Sequence, residues 1–209
     1  MRLFLASCLL LSLPWVVRSQ DLRIYNVKSG IIEYVHEGVQ SGKSTMSFDN
    51  YGSLCATWTD MNVGGERQKG WVITKGDVQY LFDPAAKTGM KITNPLVEGL
   101  RKTKDIEKYA EQLYATMGMK PAGTEKCLGK ECKRYAGSGG KVLTWNGLLM
   151  LMDITVMGQT TRQRATKIDV NVPVKASVFE IPSTIRFEES PVTPPMEEDE
   201  EEEEPEPGR

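Results

Sequence analysis

The feature that most constrains this chain is an unbroken apolar run, Leu148-Leu149-Met150-Leu151-Met152, placed between a Trp145-Asn146-Gly147 turn and a basic alternating strand. A strand with one face in water alternates polar and apolar residues, because successive side chains point to opposite faces. This run therefore demands apolar cover on both sides. The stretch from Lys141 to Pro182, which ends in Val172-Pro173-Val174 and Phe179-Glu180-Ile181-Pro182, reads as one wall of a sheet covered by a helix or a greasy ligand.

Upstream, short segments rich in β-branched and aromatic residues recur at 31–36, 44–48, 54–61, 71–74, 78–82 and 89–92. Between them lie Gln40-Ser41-Gly42-Lys43, Asn50-Tyr51-Gly52, Val63-Gly64-Gly65-Glu66, Lys75-Gly76-Asp77 and Asp83-Pro84. Connections this short make hairpins, so these strands are expected to be antiparallel neighbours in a meander. Val78, Tyr80 and Phe82 share one face, and Trp71 and Ile73 pair in the same way, although Leu81 departs from the alternation.

One helical pattern interrupts the strands. Asn94 caps it, Pro95 suits the first turn, and Leu96, Val97, Leu100, Ile106, Tyr109, Ala110, Leu113 and Met117 recur at three- and four-residue spacing before Gly118 stops it. Gly99 and the Thr103-Lys104 region are where it divides if there are two helices. An antiparallel sheet beside one amphipathic helical segment must bury the apolar stripe on the sheet, which gives an α+β fold. A second hairpin follows over 123–135, around Leu128-Gly129-Lys130.

The two ends carry their own signals. Met1 and Arg2 precede an apolar segment from Leu3 to Val17, and Val17-Arg18-Ser19 fits a leader cleaved after Ser19, so the chain is expected to be exported to the periplasm or beyond and soluble. Leu5-Ala6-Ser7-Cys8 matches a lipoprotein box, but the apolar run continues past Cys8, and cutting there would leave Leu9 to Val17 exposed. No other segment approaches the roughly 18 apolar residues of a spanning helix. Every residue from Glu197 to Glu204 is acidic and prolines flank the run, so residues 191–209 are expected to be a disordered tail and 20–190 a single domain. The tail holds nine of the 28 acids, while Arg2, Arg18 and Arg209 are three of the 26 bases, which leaves a body of about +4. Charge runs of this kind are usually solvated; the sharper reading is that Glu197–Glu204 engages a basic protein partner. Scattered rather than clustered Lys and Arg argue against nucleic acid.

Candidate chemistry is sparse. Cys127 and Cys132 flank the second hairpin, and in an oxidising compartment such a pair is most simply a disulfide, with free thiols and redox or metal chemistry as the alternatives. Cys55 reads as a small buried residue. Gly38-Val39-Gln40-Ser41-Gly42-Lys43-Ser44-Thr45 approaches a phosphate-binding loop, but it has three residues between the glycines instead of four and runs into a strand. The one histidine, His36, has no recognisable nucleophile motif beside it. No catalytic set, metal site or cofactor site is expected.

A series of short motifs carries a resemblance. Ser29-Gly30-Ile31-Ile32-Glu33-Tyr34, Ser47-Phe48-Asp49-Asn50-Tyr51-Gly52, Gly123 to Cys132, Trp145-Asn146-Gly147-Leu148, and Val172 to Pro182 occur in an order similar to that of secreted bacterial domains of the Lol-type lipoprotein-carrier (LolA/LolB-like) superfamily, over roughly residues 24–185. The resemblance implies a strongly curved antiparallel sheet, a half-barrel, with one or two helices packed in its concave face and an apolar cavity between. It implies a non-enzymatic role, holding an apolar or acylated ligand and touching membranes only transiently. Trp58, Trp71, Tyr80, Phe82, Leu149, Leu151 and Met152 are the candidates for the ligand lining or for ordinary core. Two readings stay open: a lipid or lipoprotein carrier, and an envelope interaction module with a self-filled core and an acidic partner-binding tail.

Overall fold

In a computed structural model that describes residues 23–93, 97 and 105–189, the glycine-punctuated half of the chain folds as a meander. Its strands are β1 (Gly30–Gly38), β2 (Gln40–Asp49), β3 (Leu54–Val63), β4 (Glu66–Lys75), β5 (Val78–Phe82) and β6 (Thr88–Thr93). A helix, α1 (Ile106–Thr116), leads into β7 (Met119–Cys127), β8 (Lys130–Gly137), β9 (Gly140–Trp145), β10 (Leu148–Val156), β11 (Gln159–Val170) and β12 (Arg186–Glu189). The strands form one curved, unclosed sheet in the order β12-β6-β5-β4-β3-β2-β1-β11-β10-β9-β8-β7. This is the α+β half-barrel expected from the sequence. The two meanders meet where β1 pairs with β11, and the approach to a phosphate-binding loop is the β1–β2 hairpin.

One pairing departs from the antiparallel expectation. After β11 the chain crosses one face of the sheet through a short 3-10 turn, Ala176–Phe179, and reaches the far edge as β12, parallel to β6. A long connection of this kind can deliver a strand in either direction, whereas a tight hairpin always reverses it. The leader and its cleavage site, the acidic tail, and the helical positions 94–96 and 98–104 lie outside the described residues. Val97 is helical and buried. No helix among the described residues is long and apolar enough to cross a membrane.

The register sorts the side chains onto two faces. Tyr34, Ser44 and Thr59 are aligned on the inner face, which carries α1, as are Met46 with Thr57 and Thr144 with Lys133. Ala56 with Ile73 and Tyr80, and Trp58 with Trp71 and Phe82, are aligned on the outer face. In β10 the register shifts between Leu149 and Leu151, which makes Met150 an extra residue. Leu149 opposite Thr144 and Met152 opposite Val142 therefore both face inward, three residues apart, while Leu148 and Leu151 face outward. The apolar run is covered on both sides, with Leu148 and Met150 fully buried.

Candidate ligand-binding site

The helix that closes the inner face begins sharply. The Asp105 carboxylate accepts hydrogen bonds from the backbone N–H groups of Glu107 (2.9 Å) and Lys108 (3.2 Å), satisfying donors that the first turn leaves unpaired. At the other end, Gly118 takes a φ of +71° and turns the chain into β7. The expected stripe is present, because Ile106, Tyr109, Ala110, Leu113 and Tyr114 look toward the sheet. Yet no side chain of α1 is fully buried. The helix is held mainly by its edge: Tyr114 lies on Tyr135 with ring centroids 4.8 Å apart, and Glu107 is paired with Lys133.

Between α1 and the sheet lies a cavity of about 450 Å³, within the range of about 300–1,000 Å³ usual for small-molecule sites. Tyr25, Tyr34, Met46, Leu149 and Tyr135 supply much of its apolar wall, and Glu107, Lys133, Gln163 and Asn146 its polar positions. The tyrosines are anchored by their hydroxyls. Tyr34 donates to the Leu149 carbonyl at 3.0 Å, and Tyr25 to the Met46 sulfur at 3.7 Å. Burial raises the pKa of Tyr25 and of Tyr34, and pushes Tyr114 up to about 12, so these phenols stay neutral near pH 7. They offer rings and neutral O–H groups rather than charge.

His36 and Ser44 form the most reactive-looking contact on this face, with Nε2 and Oγ 2.8 Å apart. Burial lowers the His36 pKa, which favours the neutral ring. Among the described residues, no hydrogen bond brings a carboxylate, the usual orienting member of a nucleophilic triad, to that ring. Burial also pushes the Cys55 thiol up to about 12, far from the thiolate that a nucleophile needs.

The expected disulfide is not formed: Cys55, Cys127 and Cys132 are free. The register sets Cys127 opposite Lys130 and Cys132 opposite Glu125, so the two cysteines are diagonal neighbours. Diagonal positions across antiparallel strands stand about 7–8 Å apart, beyond the roughly 6.8 Å that a disulfide spans. Cys132 is buried and its S–H donates to the Lys130 carbonyl at 3.7 Å.

The seven residues singled out from the sequence fall into different places. Leu149 lines the cavity, and Met152 packs beside it against Met119, Tyr135 and Val142 beneath α1. Leu151 joins the central cluster of Ile32, Phe48, Leu143 and Leu148. Trp71, Tyr80 and Phe82 lie on the outer face, packed with Ala56, Ile73, Phe179 and Ile185, and Trp58 meets Trp71 in a tilted contact with ring centroids 5.2 Å apart. Trp71 and Phe82 also border a shallower groove that continues the inner face past His36, Met61 and Leu81. Tyr25, Tyr34, Met46, Tyr109, Tyr114 and Tyr135 were missed. The alternation of Ile32, Tyr34 and His36 was a usable signal for Tyr34, and the helical stripe already held Tyr109; nothing local marked the others.

No family model matches the sequence, and no curated protein matches it. Solved structures do. An uncharacterized conserved protein from Thermus thermophilus superposes with a TM-score of 0.54 at 4% identity, over 81% of this chain and 95% of that one. Lower-scoring matches include the LolA superfamily protein NE2245 from Nitrosomonas europaea, at 8% identity and TM-score 0.32 over 77% of this chain and 94% of that one. The Pseudomonas aeruginosa MucA/MucB complex matches at 11% identity and TM-score 0.42, over 75% of this chain and 56% of the matched one. Such likeness is one of fold.

Proposed function

We propose that this chain is an exported, non-enzymatic domain that holds an apolar or acylated ligand between α1 and the sheet. The observation that carries the reading is the unfilled, aromatic-walled cavity under a helix none of whose side chains is fully buried. A self-filled interaction module would have closed that space with its own residues, as the outer face does. Apolar contacts lack direction, so such a wall accepts chains of varying length, while the neutral hydroxyls and the Glu107–Lys133 pair at its border meet a polar head. In this reading residues 1–19 are a leader removed on export, and the Glu197–Glu204 run solvates the domain or meets a basic partner. Native mass spectrometry of the protein purified from the cells that make it tests the proposal. The expected spectrum shows an acyl species released on denaturation. A clean unliganded mass, together with no uptake of a fluorescent fatty-acid analogue, overturns it.

A further inference from the structure

The β10–β11 hairpin turns through Met157 and Gly158, with φ of +50° and +77°. Two-residue hairpin turns with positive φ at both positions favour Asn-Gly or Asp-Gly, and this chain uses Asn146-Gly147 in the equivalent β9–β10 turn (φ +53° and +80°). At the β10–β11 turn it instead places a methionine in the left-handed conformation and exposes it completely, at 100% of its surface. Unlike Leu128 in the β7–β8 turn, which is 43% exposed, Met157 gains no burial at all from its left-handed position, so its apolar surface serves no contact within the chain.

The neighbouring apolar residues stand at the same rim. Val156 precedes Met157 and is exposed, and so is Val39 in the β1–β2 turn, whose N–H donates to the Thr160 carbonyl at 3.1 Å. On the other side, the Thr155 N–H donates to the Gly139 carbonyl at 3.2 Å, and Gly139 leaves no room for a side chain because the Met117 carbonyl approaches its Cβ position to 2.1 Å. Met117 and Leu113, one helical turn apart, are exposed there, and Leu113 also lines the cavity. Exposed apolar tips thus run from Val39 across the β10–β11 turn to α1 and on to the cavity mouth.

The charges suit a bilayer. Glu37 and Asp153, the carboxylates nearest these turns on β1 and β10, are both held by Arg162. Exposed Lys43 and Lys120 stand a few residues behind Val39 and Met117, at the depth where phosphates lie above hydrocarbon. The tips are aliphatic or thioether and include none of the Trp, Tyr or Arg anchors that dominate protein interfaces.

The geometry points to this rim as a membrane-contact surface, inserting Met157, Val156, Val39 and Met117 among lipid headgroups so that the cavity mouth beside Leu113 opens onto the bilayer. Its purpose rests on the carrier reading; its surface does not.

Flotation of the full chain with phosphatidylcholine vesicles containing phosphatidylglycerol tests the inference. Met157→Asn combined with Val156→Thr removes the apolar tip while restoring the preferred Asn-Gly turn, so the hairpin stays formed. Leu128→Asn makes the same change in the Leu128-Gly129 turn at the opposite end of the sheet, where φ is +48° and +72°. Wild-type protein and Leu128→Asn are expected to float alike, and the double variant to partition about tenfold more weakly. Wild-type protein that stays unbound, a double variant that floats like wild type, or concentration-dependent self-association abolished by the double variant would overturn it. Uptake of a fatty-acid analogue in vesicle-free solution reports separately on the cavity; normal flotation without uptake removes the carrier reading and leaves the rim.

Discussion

The two faces of the sheet are closed in different ways. On the outer face of β3–β6 the chain's own C-terminal segment descends onto the strands: Phe179 and Ile185 are buried against Ala56, Ile73 and Phe82, and Phe187 meets the Tyr80 and Phe82 rings at 5.1 and 5.8 Å. On the inner face α1 lies over β8–β10 with no side chain fully buried and a cavity of about 450 Å³ beneath it. One cover is part of the core and the other is a roof. The contrast places a filled core on the outer face and an open cavity on the inner one.

The largest test of that division removes the outer plug. Phe179→Ala is expected to lower the unfolding free energy by about 3–5 kcal/mol, as for other buried aromatic truncations, measured by urea denaturation. A loss below about 1 kcal/mol would mean the C-terminal segment is only a cover. Under the roof, Leu149→Ala is expected to cost less than about 2 kcal/mol, below the usual Leu→Ala range, because the side chain already borders a void. A full core penalty there would erase the difference between the faces.

Smaller effects sharpen the picture. Glu107→Gln breaks the pair with Lys133, whose side chains are both substantially solvent-exposed, and is expected to cost under about 1 kcal/mol while increasing hydrogen exchange in α1. Unchanged exchange would show that Tyr114 on Tyr135 suffices to hold the helix. The smallest effect concerns His36, whose pKa is lowered in the folded state by burial. The unfolded chain then binds the proton more readily, so this contribution is present above the unfolded pKa of about 6.5 and fades as pH falls through and below it. His36→Gln is expected to flatten stability against pH in that window; an unaltered slope would place the titration elsewhere.

What could be read from the sequence was what depends on neighbours in the chain. The hairpins before Thr93, the helical stripe from Ile106 to Leu113 and the double-sided cover of Leu148–Met152 follow from spacing alone. What depends on register could not be read. The extra residue at Met150 turns Leu149 and Met152 to the same face, and the offset of Cys127 against Cys132 prevents their bridge. The face shared by Trp58, Trp71 and Phe82 is visible in their pairing, yet that this face is outer depends on where the segment around Phe179 returns. The tyrosine wall comes from four separate parts of the chain, the segment before β1, β1, α1 and β8, and only the folded sheet gathers Tyr25 and Tyr34 with Tyr109, Tyr114 and Tyr135.

The central claim is that the space beneath α1 holds a ligand. Titration of a fluorescent fatty-acid analogue into the wild-type protein and Leu149→Trp tests it most directly, because the larger ring fills the cavity while its stability cost, read by urea denaturation, stays within about 1–3 kcal/mol. Saturable uptake by the wild type, weakened at least about tenfold in a Leu149→Trp protein that remains folded, is the predicted result. Equal uptake by both proteins, or none by either, would contradict the account.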